Sequence, residues 1–188
     1  MLTITPQNGV GAWPPDGNIV PRTLAKKWRE NISSCLSGHL LLLGGIDFSL
    51  NREETGFKSL NAHLHCIISR PLNSAELKRL KDKFPRDPAL HIYKPVTQKP
   101  ICKGDLRSVG EYCCKTSYTK RSSFIAVPLG DRNPYRDGRD QSLSAKEDGL
   151  FTDYLSDHQV CDHIITHGLK RVRTSDPAEV RLMLTTKK

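Results

Sequence analysis

His63-Leu64-His65 is the part of this sequence best suited to chemistry. In an extended strand, residues i and i+2 point to the same face, so both imidazoles face one way and Leu64 the other. Two neutral imidazoles at that spacing can chelate one divalent cation. The competing reading is a pair of solvated histidines at a strand end. A carboxylate would complete the donor set. Asp47 lies in the apolar segment Leu40–Leu50, which is expected to pair with the histidine strand. Adjacent strands run less than about 5 Å apart, so a cross-strand carboxylate can reach the same ion. Glu53 and Glu54 in the intervening turn are the alternatives. Asp47 is preferred because a strand holds a ligand more rigidly than a turn does.

The second constellation is Tyr112-Cys113-Cys114-Lys115. On a helix, residues i and i+3 share a side. A phenol with a pKa of about 10 is a poor nucleophile near neutrality. A neighbouring ammonium and a metal-polarised phosphate both favour its attack as phenolate. Taken alone, the spacing also suits an ordinary half-buried tyrosine beside a solvated lysine. Tyr118 and Arg121 repeat the spacing. Six residues turn a helix by about 240° beyond whole turns, so the two tyrosines are not expected on one face.

The elements that must position these groups can be read from the hydrophobic pattern. Leu2–Thr5 alternates as a strand, and residues 8–21 read as a Gly- and Pro-rich loop. Thr23–Leu36 carries Leu24, Trp28, Ile32 and Leu36 at helical spacing, with Gly38 as its stop. Leu40–Leu50 and Leu64–Ser69 are expected to form an antiparallel hairpin. Gly44-Gly45 suggests a bulge or a close backbone approach in its first strand. A helix capped by Asn73 or Ser74 follows, then a strand over Leu90–Val96 and a helix over Asp105–Tyr118. Phe124–Leu129 is ambiguous, residues 130–149 read as a long loop or insertion, and Phe151–Val160 and His163–His167 read as a last helix and strand. The order predicts an α+β fold: a central antiparallel sheet of about five strands with helices packed on it, of ferredoxin-like type. The 188 residues are expected to form one domain.

Composition narrows the partners. There are 29 Lys+Arg against 20 Asp+Glu, a formal charge of +9, which suits a polyanion. Candidate phosphate contacts are Lys120 and Arg121, the loop residues Arg132, Arg136 and Arg139, and Lys170, Arg171 and Arg173. No membrane span or signal peptide is expected. The six cysteines show no zinc or disulfide framework, which fits a reducing compartment. A cupin-like oxygenase could use the same histidines, but Cys66–Ser74 holds no carboxylate to complete that pattern. An RNA-binding sheet with stacking aromatics fits poorly, since aromatics make up only 6% of the chain.

Together these motifs resemble those of the HUH endonucleases, and in particular the plasmid-type rolling-circle replication initiators. Met1-Leu2-Thr3-Ile4-Thr5-Pro6 is similar to their first motif strand, and Gly44-Gly45-Ile46-Asp47-Phe48-Ser49-Leu50-Asn51 to the strand bearing their carboxylate ligand. Asn61-Ala62-His63-Leu64-His65-Cys66-Ile67-Ile68 is similar to their histidine motif, Glu111-Tyr112-Cys113-Cys114-Lys115 to their nucleophile motif, and His163–Lys170 to their closing strand. Asp47 stands where Glu is usual, Ala62 where Pro is usual, and Ser108 where some members carry a Glu for terminal hydrolysis. The resemblance implies a single-strand DNA nickase and strand transferase. It implies Mg²⁺ or Mn²⁺ on His63, His65 and Asp47, a Tyr112 nucleophile assisted by Lys115, and a 5′-phosphotyrosine intermediate. It also implies single-stranded or hairpin DNA at an origin as substrate, a separate helicase and polymerase, and the cytoplasm of a prokaryotic cell. A relaxase or single-strand transposase would share the chemistry, and a non-catalytic relative would share the DNA.

Overall fold

The computed structural model describes residues 1–37, 39–53, 58–90, 92–113, 118–126, 135–172 and 181–184; at 53, 103, 121–126, 135–140, 160, 171 and 181 it describes the backbone alone. The chain runs β1 (Leu2–Ile4), β2 (Val10–Ala12), α1 (Pro21–Cys35), β3 (Leu42–Glu53), β4 (Lys58–Ile68), α2 (Ser74–Lys83) and β5 (Val96–Gln98). It continues through α3 (Leu106–Cys113), β6 (Thr119–Ala126), β7 (Tyr135–Gln141), α4 (Ala145–Ser156), β8 (Ile164–His167), β9 (Leu169–Val172) and β10 (Arg181–Leu184). The main sheet has the order β5-β1-β4-β3-β6-β7, with β2 also paired to β4 and β8 to β3; β9 and β10 form a separate ribbon.

The fold is α+β, but the sheet is larger than expected and is not purely antiparallel. Among the described residues it has eight strands, and β6 runs parallel to β3. The five-strand expectation fails at short or polar strands. β2 is three residues within a Gly- and Pro-rich stretch. β7, Tyr-Arg-Asp-Gly-Arg-Asp-Gln, is a charged strand at the sheet edge inside the segment expected to be a loop. Edge strands tolerate such charge, so hydrophobic patterning misses them. The same segment contains the start of α4, whose Ser144 cap and Glu147 form a reciprocal capping box. The strand expected over Leu90–Val96 is reduced to an Asp87–Ile92 bridge, and the pairing with β1 comes later, at β5. The helix expected over Asp105–Tyr118 is shorter, ending at Cys113.

The central hairpin is as expected and longer. β3 and β4 pair without interruption from Leu42–Ile68 to Arg52–Lys58. Gly44 therefore marks a close approach rather than a bulge: a Cβ there would lie 2.4 Å from both Cys66 Sγ and His65 O. One face of the hairpin is apolar, built from Ile46, Phe48, Leu50, Leu60, Ala62, Leu64 and Cys66. It packs on Leu24, Trp28, Ile32 and Cys35 of α1, Leu80 of α2 and Phe151 of α4. The alternate residues form a buried polar face: Asp47, Ser49 and Asn51 on β3, and Asn61, His63 and His65 on β4. Two capping boxes fix the helices around this core. In α2 the Asn73 box also leaves Glu76 fully buried, where Arg70 and Ser37 satisfy it. The Arg70 hydrogen bonds hold its carboxyl well below the usual carboxylate range, against the opposing effect of burial.

Candidate active site

The register of the hairpin assembles the polar site. Asp47 lies directly opposite His63, and Gly45 opposite His65. Asp47 Oδ2 is 3.0 Å from His63 Nε2 and 3.6 Å from His65 Nε2. All three residues are at most 5% exposed. The imidazole rings meet edge to face, with centroids 4.8 Å apart. Among the described residues, Asp47, His63 and His65 are the one His/Cys/Asp/Glu group whose ligand atoms converge, all within 4.8 Å of one another.

This donor set fits a divalent cation. His63 Nε2 is buried and lies against the Asp47 carboxylate without hydrogen-bond geometry to any described residue. Burying a carboxylate against imidazole lone pairs is costly unless positive charge lies among them. Thr3 on β1 pairs with His65 across the sheet, and its Oγ1 is 3.2 Å from His65 Nδ1. When Nδ1–H donates to that hydroxyl, Nε2 is left with the lone pair, on the side of Asp47. That is the tautomer a metal ligand needs.

Helix α3 packs against β3 and β4 and brings Tyr112 to the polar face. The Tyr112 hydroxyl is 3.3 Å from His65 Nε2, and the two rings are 4.6 Å apart between centroids. Cys113, buried, anchors the end of the helix. Ser108, one helical turn before Tyr112, donates to Asp105 O, and Glu111 pairs with Arg107 on the exposed side. Tyr118 lies beyond the helix. Its ring stacks on Phe151 of the core at 5.2 Å. Burial, helped by the Asp47 charge, pushes its hydroxyl up to about 12. That disfavours ionisation of Tyr118 near neutrality.

The structure thus brings together His63, His65, Asp47 and Tyr112. Lys115, Glu54, Arg132 and Arg173 lie outside the described residues. Glu53, Arg121, Arg136, Arg139 and Arg171 are described by their backbone alone, in β3, β6, β7 and β9. Lys120, expected as a phosphate contact, is instead mostly buried and paired with Glu147 at 3.3 Å. Lys58 pairs with the same carboxylate at 2.8 Å. Burial alone would raise the Glu147 pKa, but Lys58, Ser144 and Lys120 together outweigh it and hold the group down to about 2. Lys170 on β9 is exposed. Sequence reasoning gave no chemical role to Thr3 or Asn61. The available signal was strand parity, which places Asn61 on the face of His63 and His65, and Thr3 opposite His65.

Among the described residues, no helix is long and apolar enough to cross a membrane. No protein-family model, curated protein or solved structure matches the chain.

Proposed function

We propose that this chain is a metal-dependent single-strand DNA endonuclease and strand transferase of the HUH type, initiating rolling-circle replication in a prokaryotic cell. The observation that carries the proposal is the Tyr112 hydroxyl 3.3 Å from His65 Nε2, at the mouth of a buried Asp47-His63-His65 donor set. Nucleophile and metal ligands are gathered there from three separate elements, β3, β4 and α3, an arrangement that suits a fold using both.

In this reading Asp47, His63 and His65 hold Mg²⁺ or Mn²⁺, which supplies Lewis-acid charge at the scissile phosphate. Tyr112 Oη attacks the phosphorus and gives up its proton to solvent water. An O–P bond forms to the tyrosine, and the bond from phosphorus to the 3′ oxygen breaks. The leaving oxygen takes up a proton, giving a free 3′-OH able to prime synthesis and a 5′-phosphotyrosine. The phosphodiester energy is kept in the adduct, so rejoining requires no ATP. Thr3 fixes the His65 ring, and the sheet holds the ligands rigidly. Lys115, by resemblance, favours the phenolate. Ser108 stands where some HUH endonucleases carry the carboxylate used for terminal hydrolysis. Single-stranded or hairpin origin DNA is the proposed substrate, with helicase and polymerase supplied separately.

The test is a denaturing gel with mass spectrometry on labelled single-stranded oligonucleotides from DNA flanking the gene. Wild type, Tyr112→Phe and His63→Ala are each run with Mn²⁺ and with EDTA. A metal-dependent nick with a 5′ adduct on Tyr112, lost in both variants, is the expected result. An adduct that persists in Tyr112→Phe would move the nucleophile to another residue. Tight, salt-sensitive binding without any cleavage would favour a non-catalytic DNA-binding protein.

A further inference from the structure

The polar face does not end at His63. Asn61 precedes it by two residues on β4, so it shares the face of His63 and His65. It is only 8% exposed, and its side-chain oxygen Oδ1 is buried with no hydrogen-bond partner among the described residues. A buried amide oxygen left unsatisfied is destabilising, so the fold gives up stability to keep it there. Its cross-strand neighbours do not repay that cost. On one side lies Val10 of β2, which is apolar. On the other lies Ser49 of β3, whose hydroxyl donates instead to Asn51 Oδ1 at 3.5 Å. Along its own strand the next residue on that face is the metal-ligand candidate His63, itself opposite Asp47.

From these placements we propose that Asn61 Oδ1 is a fourth protein donor to the cation held by Asp47, His63 and His65, a role that rests on the metal-site reading above. The chemistry suits the ion. Two imidazoles and one carboxylate form a nitrogen-rich set, whereas Mg²⁺ and Mn²⁺ favour carboxylate, carbonyl and water oxygens. An amide oxygen adds such a donor without adding a second buried negative charge. It also makes the site selective for oxygen-preferring ions over Zn²⁺, which is content with three or four nitrogen and carboxylate ligands.

The test is Mn²⁺ titration of the full chain, followed by electron paramagnetic resonance of free Mn²⁺, with metal-free melting temperature as control. Wild type, Asn61→Leu, Asn61→Asp and His63→Ala are compared. Asn61→Leu is expected to melt metal-free no lower than wild type, because it removes the unsatisfied oxygen, and to bind Mn²⁺ about tenfold more weakly. Asn61→Asp is expected to bind about tenfold more tightly and to melt lower without metal. Mn²⁺ affinity unchanged in a folded Asn61→Leu, or in Asn61→Asp should the leucine variant not fold, would overturn the role of Asn61 while leaving the site intact. Wild type that binds no Mn²⁺, or binds it equally after His63→Ala, would overturn the metal-site reading itself.

Discussion

Thr3→Val removes one hydroxyl and preserves shape, so it isolates what that hydroxyl does for His65. Thr3 Oγ1 is 3.2 Å from His65 Nδ1, and Thr3 sits directly across the ladder from His65. Without the acceptor, Nδ1–H loses the Thr3 hydroxyl that favours it over the alternative tautomer, in which Nε2 carries the proton on the side of Asp47. The metal then competes with that proton as well as with ring reorientation. Loss of such an outer partner of a ligating histidine typically weakens metal binding by about 10–100-fold, or about 1.4–2.8 kcal/mol. The hydrogen bond itself contributes only about 1 kcal/mol to folding, so the effect on binding should equal or exceed the effect on stability. Calorimetric Mn²⁺ titration, paired with thermal melting, measures both. Thr3→Ser restores the acceptor and is expected to recover most of the affinity. Thr3→Val binding Mn²⁺ as wild type does would refute the reasoning. So would a serine variant no better than the valine one.

Other expectations concern the frame around the site. The Glu147 carboxyl is held down to about 2 against an ordinary 4.5, so its contribution is complete above pH 4.5 and lost as the pH falls through about 2. That is worth at most on the order of 3 kcal/mol, and Glu147→Gln should flatten the acid-unfolding curve over that window. Gly44→Ala places a methyl 2.4 Å from Cys66 Sγ and His65 O. It should lower stability by about 1–3 kcal/mol or more, read from urea denaturation. Lys170→Ala should reduce the salt slope of single-stranded DNA binding by about one unit. Lys120→Ala, which loses an internal ion pair, should lower the melting temperature and leave that slope unchanged. Tyr118→Phe should retain the DNA adduct, since that ring is stacked in the core.

What the sequence disclosed follows from how local each signal is. The histidine pair needs only strand parity, which acts over two residues. Asp47 needs only the hairpin register, and Asp47 does lie opposite His63. The α1 stripe and the Asn73 cap are equally local, and both stand where the pattern places them. The parallel β3–β6 pair is different. Its partners are separated by β4, α2, β5 and α3, and no feature of Thr119–Ala126 names its neighbour. β7 has polar side chains because an edge strand need not be apolar. Lys120 shows the same limit for charge: a basic residue in a basic segment looks solvated until a buried glutamate from a distant helix closes on it.

Asn61 marks the boundary between the two kinds of information. Its place on the histidine face could have been counted from the sequence, two residues before His63. That its oxygen would find no partner could not. That depends on Val10 arriving on one side and on Ser49 turning to Asn51 on the other. An unsatisfied buried acceptor is a cost evolution rarely leaves uncompensated. Where a carboxylate and two imidazoles already converge on the same strand face, a cation held there would compensate all four groups at once. Replacing any one of the four should therefore change Mn²⁺ affinity more than it changes folding, and that asymmetry separates a metal centre from a buried polar strip that merely tolerates its neighbours.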